Sequence, residues 1–416
     1  MYKIKTYFDS VDYSGPIYEI ADWLNGTSFN YNEIGKKGTP IIKIKELKLG
    51  LNNETEYYSG NEKNKFKLEN GDLLYSWSGS PETSLDSFYF RLDEGILNQH
   101  IFKISPKKFI LKDYIYYLLI YIKPILVRIA KDKQTTGLGH ITLQDLKDLK
   151  IDIPSKYIQT GIVETLNPLF NKIEINKKII KNIEELLFSI FKLFFIKFDY
   201  LELKIKNGTS PTNHILNLFP DNFIESKKGR IPYGWQLSSF EYLAKPIRGK
   251  TITQNMIEEG NVPVVAGGLE PAYFHNKSNV NGPVVTVSAS GASAGFVKLY
   301  QENIWASDCS YISKEKTKFF YSSYIFLKIF QKKIFYSQTG AAQPHINPKD
   351  LMRLDFVNPG EEILSKFEKI VEPFFDKIKI LDDEIKILKK IKDMLVPKLI
   401  SGQHKVSKDF KLKSNE

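Results

Sequence analysis

The sequence predicts a duplicated mixed α/β (α+β) fold: two globular domains separated by two long helices that pair through apolar seams. Three observations predict it. The chain repeats itself at an offset of 205 residues, each copy ends in a long stripe of helical spacing, and 416 residues exceed what one ordinary core holds. With 42% hydrophobic and 26% charged residues, the chain has enough apolar material to fold, which argues against disorder.

The repeat is clearest toward the back of each copy. Gly137 to Pro154 has its counterpart in Ala342 to Pro359, where His140 matches His345, Asp145-Leu146 matches Asp350-Leu351 and Pro154 matches Pro359, all 205 apart. Pro168-Leu169-Phe170 and Pro373-Phe374-Phe375 keep that offset. Further forward it grows, to 211 between Gly71 and Gly282 and 223 between Pro40-Ile41-Ile42 and Pro263-Val264-Val265, so the first copy carries loop insertions. Solenoid units are far shorter, about 20–50 residues, so each copy reads as a domain with an appendage.

Runs rich in β-branched and aromatic residues and bounded by glycine read as strands: Ile41 to Leu47 and Val262 to Val265, Asp72 to Ser76 and Pro283 to Ser288. Tyr89 to Ile104 and Phe296 to Ile312 add further strand-like runs, followed by helical stretches near Asp113 to Ile129 and Ser322 to Phe335.

The appendage carries a 3,4 stripe. It runs through Ile162, Leu166, Leu169, Ile173, Asn176, Ile180, Ile183, Leu187, Ile190 and Phe194. In the second copy it runs through Phe367, Val371, Phe374, Ile378, Leu381, Ile385, Leu388, Lys392, Leu395 and Leu399. Such a seam argues a coiled coil, with helices of roughly 36 residues on the order of 54 Å long. The plainer alternative is two amphipathic helices buried in separate cores. Asn176 stands where the repeat has Leu381. There it either fixes register at a cost in stability or lies at a gap facing water. Pro168 and Pro373 are placed near the helix starts, and Pro397 with Gly402 marks the second helix's end.

These signals divide the chain into a first domain (1–158), a first long helix (159–200), a turn-rich linker (201–230), a second domain (231–360), a second long helix (361–402) and a polar tail (403–416).

The net charge of +11 and pI near 9.1 suit a polyanionic partner. Only five of the 59 basic residues are arginine, and a chain so rich in Lys, Ile, Asn, Tyr and Phe also carries that charge through composition alone. Cys309 is the single cysteine, which excludes an internal disulfide and points to a reducing compartment, the cytoplasm. No leader is read at the start. Ile115 to Ala130 and Leu186 to Phe198, the most apolar stretches, are interrupted by charge and fall short of a bilayer span, so no membrane segment is expected.

Ile231-Pro232-Tyr233-Gly234-Trp235 opens the second copy. Thr136-Gly137 with His140-Ile141 and Asp145-Leu146 recurs as Thr339-Gly340 with His345-Ile346 and Asp350-Leu351, and Leu395 to Gly402 closes the second helix. In order, spacing and duplication, these elements resemble the specificity subunits of type I restriction-modification enzymes, over essentially the whole chain. That resemblance implies two target recognition domains, each reading half of a bipartite asymmetric site in double-stranded DNA, and antiparallel pairing of the helices. It further implies docking of two DNA adenine methyltransferase subunits, restriction and translocation subunits in the assembled complex, and no catalysis by this chain. The first copy departs from the pattern, with Tyr13-Ser14-Gly15-Pro16-Ile17 ahead of Trp23, so the start of its domain stays open. The competing reading is a duplicated adaptor that binds proteins along a coiled-coil rod without DNA specificity.

Catalytic motifs are found and rejected. Ala244 to Gly249-Lys250-Thr251 fits a relaxed phosphate-loop pattern, but Pro246 sits inside it and a turn follows. A nucleotide hydrolase built on Lys250 is the enzyme alternative. Pro220-Asp221 with Glu225 and Lys227 matches a nuclease signature too tightly spaced to span two strands, and no Asn-Pro pair is followed by a second proline and an aromatic. No Cys or carboxylate cluster accompanies His140 or His345, so no metal and no cofactor are expected.

For DNA contact the small polar loops stand out. Ser288, Ser290, Gly291 and Ser293 follow a strand, with Ser76, Trp77, Ser78 and Gly79 as their counterpart. A second pair of loops holds Gln338, Thr339, Gly340, Gln343 and His345 in one copy and Lys133, Gln134, Thr135, Thr136 and His140 in the other. Arg248 and Lys250 are candidate phosphate contacts. Each of these residues reads equally as part of a structural turn.

Overall fold

The protein's structure, a computed structural model, describes residues 2–60, 63–134, 137–207, 219–336 and 345–405. The chain forms two compact units, Met1–Glu174 with Lys386–Glu416, and Ile175–Ile385.

In the first unit a four-stranded sheet runs in the order Asp86–Tyr89, Leu73–Ser76, Ile101–Pro106, Ala21–Asn25. A second sheet is built around Thr39–Ile42, which pairs in parallel with Glu94–Leu97. Helix Lys112–Asp132 buries Tyr114, Ile115, Leu118, Leu119 and Ile122, and that face joins Ile17, Ile20, Leu73 and Tyr75 in one core. Each such fully buried side chain contributes about 1.5–3 kcal/mol. Strand Leu149–Pro154 alternates, burying Leu149, Ile151 and Ile153, and pairs antiparallel with Val11–Pro16. Ile162, Leu166, Val396, Leu399 and Ile400 of the long helices close this core.

The second unit repeats the plan with fewer strands. Its main sheet runs Ile247–Arg248, Cys309–Ser313, Val284–Ser288, Val297–Tyr300, and Val262–Val265 pairs in parallel with Trp305–Ala306. Helix Phe320–Tyr336 packs on the core, and strand Asp355–Asn358 pairs antiparallel with Gln236–Ser239.

Two expectations differ. Only Ile41 and Ile42 of the first predicted strand are extended, within strand Thr39–Ile42; Ile44–Leu49 is a short helix, started by the Glu46 carboxylate accepting from Lys43 N–H at 3.2 Å and stopped at Gly50, φ +76°. The segment read as a linker holds helix Asp199–Asn207 and a hairpin of Phe223–Ser226 with Gly229–Pro232. Gly229, at φ +96°, belongs to a hairpin turn, and Lys204 is held inside by the Phe219 carbonyl at 2.6 Å and Asp221 at 2.7 Å.

The long helices are Lys156–Phe195 and Glu361–Ile400, 40 residues each. Within the Ile175–Ile385 unit they run antiparallel: Asn176 meets Glu384, while Phe191 and Phe195, further along one helix, meet Phe367, further back on the other. Within the other unit the Lys392 ammonium lies over the Phe170 ring. Mid-seam residues Ile173, Asn176, Ile378, Leu381 and Ile385 are buried as the 3,4 stripe requires. Toward the ends burial moves one residue on, to Phe191 and Phe195 in place of Ile190 and Phe194, to Phe375 in place of Phe374 and to Val396 in place of Leu395. A straight helix drifts against a 3.5-residue repeat, and these ends pack on globular cores.

Pro168 and Pro373 are not near the helix starts; each lies in a helix interior, on the exposed side. Glu164 and Lys369, four residues earlier, whose carbonyls lose their helical donor to the prolines, are also exposed. Gly402 ends the second helix at φ +78°, where a Cβ would lie 2.8 Å from the Phe8 ring. Among the described residues no helix is long and apolar enough to cross a membrane.

Candidate nucleic-acid interface

In the second unit, strand Val284–Ser288 leads into the loop Ala289–Ser293. Ser288 is buried and its hydroxyl donates to the Gly267 carbonyl at 2.7 Å, so it braces the loop instead of facing outward. Ala289 N–H donates to the Asp308 carbonyl at 3.2 Å and its own carbonyl accepts from Ile346 N–H at 3.0 Å, while Ser290 bridges to His345. Ser290 and His345, predicted in separate loops, therefore lie side by side. Gly291, φ +76°, turns the chain, and a Cβ there would meet nothing within 4 Å. Ser293 stands half-buried in the short 3-10 turn Gly291–Ser293 that follows.

Arg248 joins them from the edge strand Ile247–Arg248. Gly249 N–H donates to the Cys309 carbonyl at 2.8 Å, and a Cβ on Gly249 would lie 2.2 Å from the Ser307 carbonyl oxygen, so only glycine fits. The Arg248 guanidinium donates to one oxygen of Asp308 and the Ser290 hydroxyl to the other. Lys250 is exposed, and its carbonyl accepts from the Trp305 indole at 2.8 Å. No helix opens after Lys250; the next ordered turn is Gln254–Met256 of 3-10 type. The phosphate-loop pattern is thus an edge-strand turn. Cys309 is buried, and burial pushes its thiol up to about 12, far from a reactive thiolate.

The first unit repeats this frame. Trp77 N–H donates to the His100 carbonyl at 3.2 Å and the Trp77 carbonyl accepts from Ile141 N–H at 2.8 Å. Ser78–Gly79 pairs antiparallel with Gly139–His140. Gly26 N–H donates to the Ile101 carbonyl at 3.1 Å, and a Cβ on Gly26 would lie 2.0 Å from the Asn98 carbonyl oxygen, as for Gly249. The half-buried Trp77 indole donates to Asn25 Oδ1 at 2.9 Å, stacks on Phe102 at 5.6 Å and meets His100 edge-on at 5.6 Å. Asn25, Gln99, His100 and His140 are exposed around it.

Other candidates fall differently. Ser76 is fully buried, its hydroxyl donating to the Ser84 carbonyl and accepting from Asp86 N–H at 3.1 Å, so it is a core residue. Lys133 is tied to Asp145, while Gln134 is exposed. Burial works to raise the Asp145 carboxyl, but hydrogen bonds from Lys133 and Thr142 hold it below its ordinary value. Thr135, Thr136, Gln338, Thr339, Gly340 and Gln343 lie outside the described residues. Sequence reasoning missed Asn25, His100 and Asp308. The first was accessible, since Asn25-Gly26 and Arg248-Gly249 share the 223 offset.

No group of three or more His, Cys, Asp or Glu that could hold a metal occurs among the described residues. What the frame offers is exposed hydrogen-bonding side chains and small loops on a rigid sheet edge.

Comparison with known proteins agrees. The family model for the type I restriction modification DNA specificity domain matches twice, over residues 14–185 and 232–406. The specificity subunit of the type I restriction enzyme MjaIX from Methanocaldococcus jannaschii is 26% identical over 335 residues, 74% of this chain and 73% of that protein. That of HindI from Haemophilus influenzae is 22% identical over 406 residues, 81% of this chain and 87% of that one. The crystal structure of the type I restriction-modification S subunit from M. genitalium matches in fold with a TM-score of 0.50 at 17% identity, covering 95% of this chain and 99% of that one. With the family model accounting for nearly the whole of both copies, this chain belongs to the type I restriction-modification DNA specificity family, as a non-catalytic specificity subunit.

Proposed function

We propose that the chain reads a bipartite, asymmetric site in double-stranded DNA, with residues 1–158 taking one half and residues 231–360 the other. One observation carries this reading: the same backbone frame occurs twice with different side chains, exposed Asn25 and His100 with half-buried Trp77 in one copy against exposed Arg248, half-buried Asp308 and buried Ala289 in the other. Equivalent geometry with unlike hydrogen-bonding groups suits two unlike half-sites. Ser78, Gly79, His140, Lys250, Ser290, Gly291 and His345 complete the two contact surfaces.

The paired helices serve as the scaffold for two DNA adenine methyltransferase subunits, through which restriction and translocation subunits join. Ile380, Ile387 and Met394 recur every seven residues on the second helix and are 59–60% exposed. That is an apolar stripe separate from the buried seam and suited to a helical partner.

Selection from a randomised duplex library by the chain with its methyltransferase tests the reading. Two enriched blocks at a fixed separation are expected; a single block, or none, contradicts it.

A further inference from the structure

We propose that Arg248 reads a guanine in the half-site taken by the second domain, with Asp308 as its positioning residue. This rests on the DNA-reading assignment above and names the base and the side chain responsible. Nη2 of Arg248 donates to Oδ1 of Asp308, and Oδ2 of Asp308 accepts the Ser290 hydroxyl, so the carboxylate is held from two sides. The backbone is equally fixed, because Gly249 packs against the Ser307 carbonyl with no room for a Cβ. A guanidinium has five N–H donors in a rigid plane; Asp308 engages Arg248 through Nη2 alone and the side chain is 43% exposed, so donors remain for a base edge. Two parallel donors match O6 and N7 of guanine in the major groove.

A phosphate role fits this geometry less well. Arg248 and Asp308 together carry no net charge, so the pair gains little from counterion release, and the carboxylate is repelled by a phosphate. Exposed Lys250, two residues on, meets the phosphate requirement without a fixed carboxylate in its way. The flanking residues Gly267, Ser290 and Gly291 are small, and a Cβ on Gly291 would meet nothing within 4 Å among the described residues. In the first copy the equivalent positions hold Asn25 and His100, and Asn25 engages the Trp77 indole. The two domains therefore present different readers at one structural position.

The test is library selection with the full chain and its methyltransferase, comparing wild type, Arg248→Ala, Arg248→Lys and Asp308→Asn. Wild type is expected to require guanine at one position of the second half-site. Arg248→Ala loses that preference roughly 5- to 150-fold at that position alone, with the first half-site unchanged. Arg248→Lys keeps the charge but not the planar fork and does not restore the preference. Asp308→Asn relaxes the same position partially. Loss that is uniform across sequences and rescued by lysine overturns the proposal, leaving a phosphate contact. Unchanged selection by Arg248→Ala also overturns it. A wild-type complex with no sequence preference overturns the DNA-reading assignment itself, a failure distinct from those two.

Discussion

The side-chain amide of Asn176 donates to Oε2 of Glu384 at 2.8 Å across the helix pair, from a position with no solvent exposure. Its Oδ1 is also buried and has no protein partner among the described residues. A leucine stands at the equivalent place in the other helix, position 381. The polar pair thus marks one register of the two helices at a thermodynamic cost.

Asn176→Leu removes a half-satisfied buried amide, while its partner Glu384 is only half-buried. The variant is expected to be more stable by about 1 kcal/mol. Urea unfolding of the full chain checks this through its midpoint. A lower midpoint shows that the hydrogen bond outweighs the buried carbonyl.

Lys250→Ala, if Lys250 contacts a phosphate, weakens DNA binding evenly across sequences. It also makes the slope of log K against log salt shallower by about 1. Binding titrations between low and physiological salt measure both. A change confined to one base position reassigns Lys250 to base reading. No nucleotide hydrolysis is expected of wild type or variant, because Lys250 lies on an edge-strand turn and not at the start of a helix.

Asp145 caps its short helix by accepting from Thr142 N–H at 2.7 Å and pairs with Lys133. Its carboxyl is held below the ordinary value in the folded chain, so its stabilisation is complete above the unfolded pKa of about 4 and lost as pH falls through the folded value. Asp145→Asn is expected to cost about 1 kcal/mol at pH 7 and progressively less in acid. Unfolding midpoints at pH 7 and in acid provide the comparison; a cost that grows in acid contradicts the assignment.

Replacing Ile387 and Met394 together by glutamate places charge on the exposed stripe and leaves the buried seam alone. Affinity for the methyltransferase subunit is expected to fall tenfold or more, with unfolding unchanged. Unaltered affinity in a sedimentation or calorimetric titration moves the docking surface elsewhere.

Much of this was legible in the sequence because it follows from periodicity. The offset of 205 tying His140 to His345 is realised as one hydrogen-bonded frame built twice, through Ile141 in one unit and Ile346 in the other. The helix seam is legible for the same reason, since side-chain burial enforces its spacing. What the sequence hid depends on tertiary contact. Ser76 and Ser288 read as loop serines, yet both lie at strand ends where inward-facing backbone groups consume their hydroxyls. Asp308 carries no local signal, and only the fold brings it within reach of Arg248, 60 residues earlier. Pro168 and Pro373 misled because a proline in a long helix is tolerated on its exposed side.

The central claim is that two unlike domains of one chain set a two-part DNA target. Its most direct test is to map methylated adenines in a host lacking other modification, expressing the methyltransferase with wild-type chain or with Arg248→Ala. The account predicts a single bipartite, asymmetric motif with wild type, absent when the chain is omitted, and relaxation by the variant of the second half alone. A continuous or palindromic motif, methylation that persists without this chain, or change in both halves at once contradicts it.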